Sequence, residues 1–327
     1  MSLLSVKNLS VGYQTPAGVI RAIDNVCFDL ETGRPLGFVG ESGCGKTTIG
    51  MALMGLLPDN GTVLGGDILF RGKNLACFSE KQWRKIRGRD MAMIFQAAMN
   101  ALNPVYRVAD QIREAIITHH PEAAEADLDS RLEELFDLVD MPLERAWDYP
   151  HEYSGGMKQR AVIAMALACS PKLVIADEPT TALDVIVQDQ ILKGLRAIQA
   201  RLKIGLIFIS HDIAVVASVC DRVCVMYGGQ IVEAGTTDEV FSSPRHPYTR
   251  MLLGAYLSLD SKPDIRVPEM GETPDLFQAD GRCRFSVNCP ERSADCSSSR
   301  PKWIEVSKTH RVFCCNEALI RSINETL

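Results

Sequence analysis

One eight-residue stretch constrains this chain more than any other: Gly40-Glu-Ser-Gly-Cys-Gly-Lys46-Thr47 follows the apolar run Leu36 to Val39 and opens an apolar helical pattern over Thr47 to Leu57. A short unbroken apolar run reads as a buried strand, and the pattern after the loop reads as a helix packed on it. The loop matches GxxxxGK[ST] in the context that its chemistry needs. Its glycines let consecutive N–H groups turn toward one point, and the helix N-terminus adds partial positive charge there. The expected ligand is a polyphosphate held by Gly40, Glu41, Ser42, Gly43, Cys44, Gly45, Lys46, Thr47 and Thr48. Lys46 would face the β- and γ-phosphates, and the Thr47 hydroxyl would ligate Mg²⁺. A glycine-rich turn carrying an incidental lysine would not need this strand before it and helix after it.

The rest of the chain reads as α/β. Strands are expected at Leu3 to Leu9, Val19 to Leu30, Met91 to Phe95, Leu173 to Asp177, Leu206 to Ser210 and Val223 to Tyr227, with helical patterns between several of them. From Asn103 to Ala168 the strand signals stop, and Val108 to His119 and Asp127 to Val139 read as helices of an insertion. Leu173-Val-Ile-Ala-Asp177-Glu178 is an apolar strand ending in two carboxylates. Alone it could be any buried strand reaching its polar end. Beside a phosphate loop, Asp177 is expected to hold Mg²⁺ through water, and Glu178 to polarise an attacking water. These two segments define a P-loop NTPase and no more.

Composition excludes some partners. A formal charge of −6 leaves no general basic footprint for nucleic acid. No run of about 18 apolar residues offers a membrane span. The start, MSLLSVKNLSVGY, interrupts with Lys7 what a secretory signal would keep apolar, so a cytosolic chain is expected. Any membrane role would come through partners. Among eleven cysteines, Cys283, Cys289, Cys296, Cys314 and Cys315 crowd the tail. In a cytosolic protein such crowding reads as metal ligands or buried thiols before disulfides.

Ser154-Gly155-Gly156-Met157-Lys158-Gln159-Arg160 opens a helix before the Leu173 strand and resembles the LSGGQ signature of ABC ATPases, with Tyr153 where leucine is usual and Met157 where glutamine is usual. A Ser-Gly-Gly could also be a simple helix cap. Further positions match the family in order. Tyr13 resembles its adenine-stacking aromatic, Gln96 its Q-loop glutamine and Mg²⁺ contact, Ala182-Leu183-Asp184 its D-loop, and His211 its switch histidine. The resemblance spans Leu3 to Phe241 and implies an ABC nucleotide-binding domain over 1–257, with the helical signature subdomain at about 103–168. It further implies Glu178, His211 and Gln96 as catalytic residues. Ser154, Gly155, Gly156 and Asp184 would complete the nucleotide site of a second ATPase subunit. No internal repeat supplies that second cassette within the chain.

Phe95 to Pro104, Tyr153 to Arg160, Ala176 to Val185 and His246-Pro-Tyr-Thr249 resemble the ATPases of dipeptide, oligopeptide and nickel importers. That likeness implies two transmembrane permease subunits, an extracytoplasmic substrate-binding protein, and a peripheral position on the cytoplasmic face of the membrane. The segment Ala97 to Pro104, including Asn100, would face a permease loop. It also implies a small cysteine-rich C-terminal module, 258–327, in which Cys283, Cys289, Cys296 and Cys314, spaced C-x5-C-x6-C-x17-C, bind a [4Fe-4S] cluster. By spacing alone a structural zinc is equally suitable. A nickel or other small-solute importer, or a soluble ABC ATPase outside transport, are the alternative readings.

Overall fold

Alternation of buried and exposed residues decides the first sheet. In the computed structural model, which describes residues 2–96, 101–181, 183–260, 276–277, 281–294, 296 and 299–322, strand β1 runs over Ser2–Thr15 and β2 over Gly18–Glu31. Residues 97–100 of the expected permease-facing segment, Ala182 of the D-loop, and 261–275 of the polar tail lie outside the described residues. β1 outruns the expected Leu3 to Leu9. Asn8, at φ 51, takes up a register shift between Lys7 and Ser10, and its N–H donates to Cys27 Sγ at 3.0 Å. An irregularity of this kind bends a strand without ending it, so a polar Lys-Asn pair is not a stop.

The chain divides into two compact units. The larger holds 2–29, 36–76 and 210–327. Its antiparallel sheet has the order β2-β1-β4-β5, with β4 at Gly61–Phe70 and β5 at Lys73–Asn74. β4 escapes the sequence reading because Gly65 and Gly66 break its alternation. A second sheet grows from β3, Leu36–Val39, all four residues buried. β3 pairs in parallel with β9, Arg222–Tyr227, which pairs antiparallel with β10, Gln230–Thr236. Helix α1, Lys46–Leu53, buries Ile49, Ala52 and Leu53, and ends before the expected Leu57 because Gly55 turns to φ 60. The unit also holds α7, Ile213–Val219, α8, Thr237–Ser242, and α9, Pro247–Asp260.

The smaller unit, 30–35 and 77–209, carries the parallel strands β6, Met91–Ile94, β7, Leu173–Asp177, and β8, Gly205–Ile209. Their register pairs Ile94 with Ala176 and Asp177 with Ile209. After the single turn α2, Glu80–Trp83, come the insertion's helices α3, Val108–His119, α4, Glu125–Leu138, and α5, Gly155–Ala166, followed by α6, Val185–Leu202. Ile112, Ile116, Leu128, Leu132, Leu135 and Phe136 form the buried stripes of α3 and α4, at helical spacing. Arg131 ties the insertion down by donating to the carbonyls of Ala168 and Leu167, the last of α5's turns.

The C-terminal extension adds strands instead of building a separate sheet. β11, Lys302–Glu305, and β12, Arg311–Cys314, form a hairpin whose β12 pairs with β10. With α10, Glu317–Ser322, it encloses Ile304, Val312, Cys314 and Ile320. Polar side chains of the larger unit receive it. Glu233, fully buried on β10, accepts from the N–H groups of Arg245 and His246, at 2.8 and 2.9 Å, and lies 2.7 Å from His310 Nε2. Glu239 accepts from the hydroxyls of Ser307 and Thr309. Burial alone would raise its carboxyl pKa, but bonds from Ser307, the Thr236 N–H and Thr309 outweigh it and hold the group at about 2. Because two buried N–H groups and an imidazole lose their acceptor in Glu233→Ala, that variant should lose about 3 kcal/mol of stability. Urea denaturation of the full chain measures it, and an unchanged midpoint would contradict the role given to Glu233.

Candidate nucleotide site

The phosphate loop forms where β3 ends. Gly40 passes so close to β9 that an added Cβ would lie 2.2 Å from the Met226 carbonyl oxygen, so no side chain fits there. Lys46, only 5% exposed, folds under the loop and donates to the carbonyls of Gly40 and Glu41, both at 2.7 Å. A buried ammonium needs such acceptors. Gly45 caps α1 in the left-handed region, with no side-chain cap and no acidic residue in the first turn. The helix therefore presents its N–H groups with no carboxylate competing for them, and this donor set fits a polyphosphate. Ser42, Gly43 and Thr47 are exposed and Cys44 is buried; burial pushes the Cys44 thiol pKa up against the lowering effect of Lys46. Tyr13 is half-buried, its hydroxyl 3.1 Å from Thr48 Oγ1 and its ring against Gly61. In the same unit His211 is exposed, just before Asp212, whose Oδ1 caps α7 by accepting from Ala214 and Val215 N–H.

In the smaller unit, Asp177 closes β7 at 1% exposure, and Glu178 follows at φ 47, a backbone conformation uncommon for a long side chain. Its N–H donates to Ile209 O at 2.8 Å, which ties the turn to β8. Glu178 Oε2 accepts from Gln96 Nε2 at 2.9 Å and from Thr181 Oγ1 at 3.2 Å. Two residues far apart in sequence are thus brought together at the ends of β6 and β7.

Ser154 is the N-cap of α5, its Oγ accepting from Met157 N–H at 3.3 Å, and Asp184 caps α6 by accepting from Val187 N–H at 2.9 Å. Gly156 is required where α5 meets α6, since a Cβ would lie 2.7 Å from Val187 Cγ1. Tyr153, the departure from leucine, is buried and donates its hydroxyl proton to Arg145 O at 2.6 Å, so the larger ring is accommodated without an unpaired polar group. The sequence reading missed Val185 and Ile186, 82% and 73% exposed in the first turn of α6 directly after Asp184. A single helical turn gives no periodicity by which such exposed apolar residues could be found.

The tail thiols of Cys283, Cys289, Cys296 and Cys314 lie near one another. Burial pushes the pKa of Cys289 up to about 11 against the lowering bond from the Glu291 backbone, and burial and then the neighbouring thiols push that of Cys315 up to about 12. Thiolates bound to a cation would reverse this, and the donor chemistry suits iron or zinc. Among the described residues no three His, Cys, Asp or Glu side chains are arranged to hold a metal ion. Local bonds engage two of these sulfurs: Asn316 N–H donates to Cys314 Sγ at 3.4 Å, and Ser293 Oγ lies 3.7 Å from Cys296 Sγ.

A family model described as ABC transporter matches residues 23–181, and one described as Oligopeptide/dipeptide transporter, C-terminal region, matches 232–296. The dimeric structure of MJ0796, a bacterial ABC transporter cassette, aligns at a TM-score of 0.64 and 23% identity, covering 72% of this chain and 98% of that one. The fold is thus that of the ABC nucleotide-binding cassette. The Dipeptide transport ATP-binding protein DppD of Bacillus subtilis is 46% identical, covering 95% of this chain and 94% of that protein. The Oligopeptide transport ATP-binding protein OppD of the same organism is 45% identical, over 95% of this chain and 87% of its own. The chain belongs to the DppD/OppD family of ABC transporter ATP-binding subunits. Among the described residues no helix is long and apolar enough to cross a membrane.

Gly43 shows the contrast with Gly40: at φ 80 its added Cβ would meet nothing within 4 Å. Gly43→Ala should cost only backbone strain, roughly 1–2 kcal/mol, while Gly40→Ala should cost more and distort the loop. Thermal denaturation of the two variants side by side measures the difference, and equal losses would contradict the close approach.

Proposed function

We propose that this chain is the ATP-hydrolysing subunit of an ABC importer for dipeptides or oligopeptides. The observation that carries the reading is the phosphate loop, an uncapped helix N-terminus over a buried lysine, in a chain similar over 95% of its length to DppD and OppD. In this reading Lys46 contacts the β- and γ-phosphates, Thr47, Asp177 and Gln96 serve Mg²⁺, and Tyr13 stacks on adenine. Glu178 is the general base, and its bond from Gln96 supports that assignment by setting the carboxylate's orientation. His211 assists at the γ-phosphate. Ser154, Gly155, Gly156 and Asp184 face the nucleotide of a paired ATPase, and the exposed Val185 and Ile186 support a subunit surface at that place. The cassette of 1–257 works with two permeases and a substrate-binding protein at the cytoplasmic face of the membrane. ATP closes the pair through its higher affinity for the closed state, and hydrolysis removes that bias.

Lys46→Ala should abolish ATP binding, whereas Glu178→Gln should bind ATP and hydrolyse it roughly 10²–10⁴-fold more slowly. Equilibrium binding and phosphate release separate the two. Normal turnover by either variant would refute its assigned role.

For the extension, 258–327, the finer reading is a thiolate-bound [4Fe-4S] cluster. Its support is that Cys283, Cys289, Cys296 and Cys314 lie within electrostatic reach of one another. Protein purified anaerobically should then contain about four iron and four sulfide per chain. One zinc, or no metal, in such protein refutes the cluster.

A further inference from the structure

We infer that Tyr248 is a positioning residue for the phosphate loop, and that Phe285 of the cysteine-rich segment holds Tyr248, so that the extension sets nucleotide affinity from behind the loop. The inference rests on the nucleotide reading above and concerns residues outside the loop itself.

The peptide joining Gly40 to Glu41 is gripped at both ends. Its N–H, on Glu41, donates to the Tyr248 hydroxyl at 3.1 Å, and its carbonyl, on Gly40, accepts from Lys46 Nζ at 2.7 Å. A peptide is planar, so fixing one end fixes the other. Tyr248 thereby sets the direction of the carbonyl against which the loop's lysine rests.

Tyr248 is itself fully buried and lies on α9, far along the chain from the loop. Its ring centroid is 4.7 Å from that of Tyr227 on β9 and 5.5 Å from that of Phe285. Phe285 also packs on Tyr227, at 5.0 Å, and on His246, at 5.6 Å. A ring used only for packing needs no hydroxyl, and burying one without a partner is costly. Here the hydroxyl is spent on the loop. Burial raises the pKa of the phenol, so it stays neutral.

Phe285 is 1% exposed and has its own anchors. Ser286 N–H donates to Cys283 O at 3.1 Å, Asn288 Nδ2 to the Tyr227 hydroxyl at 3.0 Å, and Arg284 to the Gly228 carbonyl and to Asp24. The turn between Cys283 and Cys289 therefore carries the ring that backs Tyr248.

The test uses the full chain. Tyr248→Phe keeps the ring and deletes the acceptor, so the fold should persist. The Kd and KM for ATP should rise about three- to tenfold with kcat nearly kept, as for the loss of one hydrogen bond that positions the site. Phe285→Leu should raise Kd in the same direction, and the double variant should be no weaker than the weaker single one. If Phe285→Leu fails to fold, Asn288→Ala takes its place with the same expectation. Wild-type Kd in Tyr248→Phe, or effects that simply multiply in the double variant, would overturn the inference while leaving the nucleotide reading intact. A wild-type chain that binds no ATP would overturn both.

Discussion

The larger unit depends on how closely the backbone at Gly40 runs against the end of β9. Parallel pairing of Val39 with Val225 brings β3 and β9 to their ends together, and the Met226 carbonyl then fills the space where a side chain at position 40 would stand. The loop must leave the sheet at that point and in that direction. Lys46 follows by necessity, since a cation nearly excluded from water has to find acceptors, and the carbonyls of Gly40 and Glu41 are the ones at hand. The first turn of α1 has backbone donors and no carboxylate to satisfy them, so local folding and phosphate chemistry make one demand.

Capping and binding coexist in the helical insertion. Ser154 and Asp184 each satisfy one donor at a helix start, which is the ordinary use of these residue types. Ser154 and Asp184 nonetheless begin α5 and α6, the helices whose first turns touch through Gly156 and Val187. A cap at such a point holds a helix N-terminus in a defined place, and it makes the exposed Val185 and Ile186 part of a rigid surface.

The extension shows how a segment with little apolar content is retained. Among the described residues it encloses a small core around Ile304, Val312, Cys314 and Ile320. Much of its hold is polar and local in reach: Glu233 with His310, Glu239 with Ser307 and Thr309, Asp24 with Arg284. Such bonds are geometrically exacting, and they bring the cysteine-bearing turn into contact with the aromatic residues of α9 and β9.

By itself the sequence determined the elements whose signal is local. The strand, loop and helix around Gly40, the buried β7 ending in Asp177 and Glu178, and α3 over Val108–His119 were legible because apolar period, glycine placement and caps act over a few residues. Only the tertiary structure decided the rest. β4 hides behind its glycines, β10 and β12 pair across a long stretch of chain, and Gln96 meets Glu178 only because β6 lies beside β7. Four cysteines at suggestive spacings do not by themselves define a site, since ligation depends on distances in space. Tyr248 reads as one more aromatic in an apolar helix; that its hydroxyl reaches the Glu41 N–H follows from long-range packing, on which no local pattern reports.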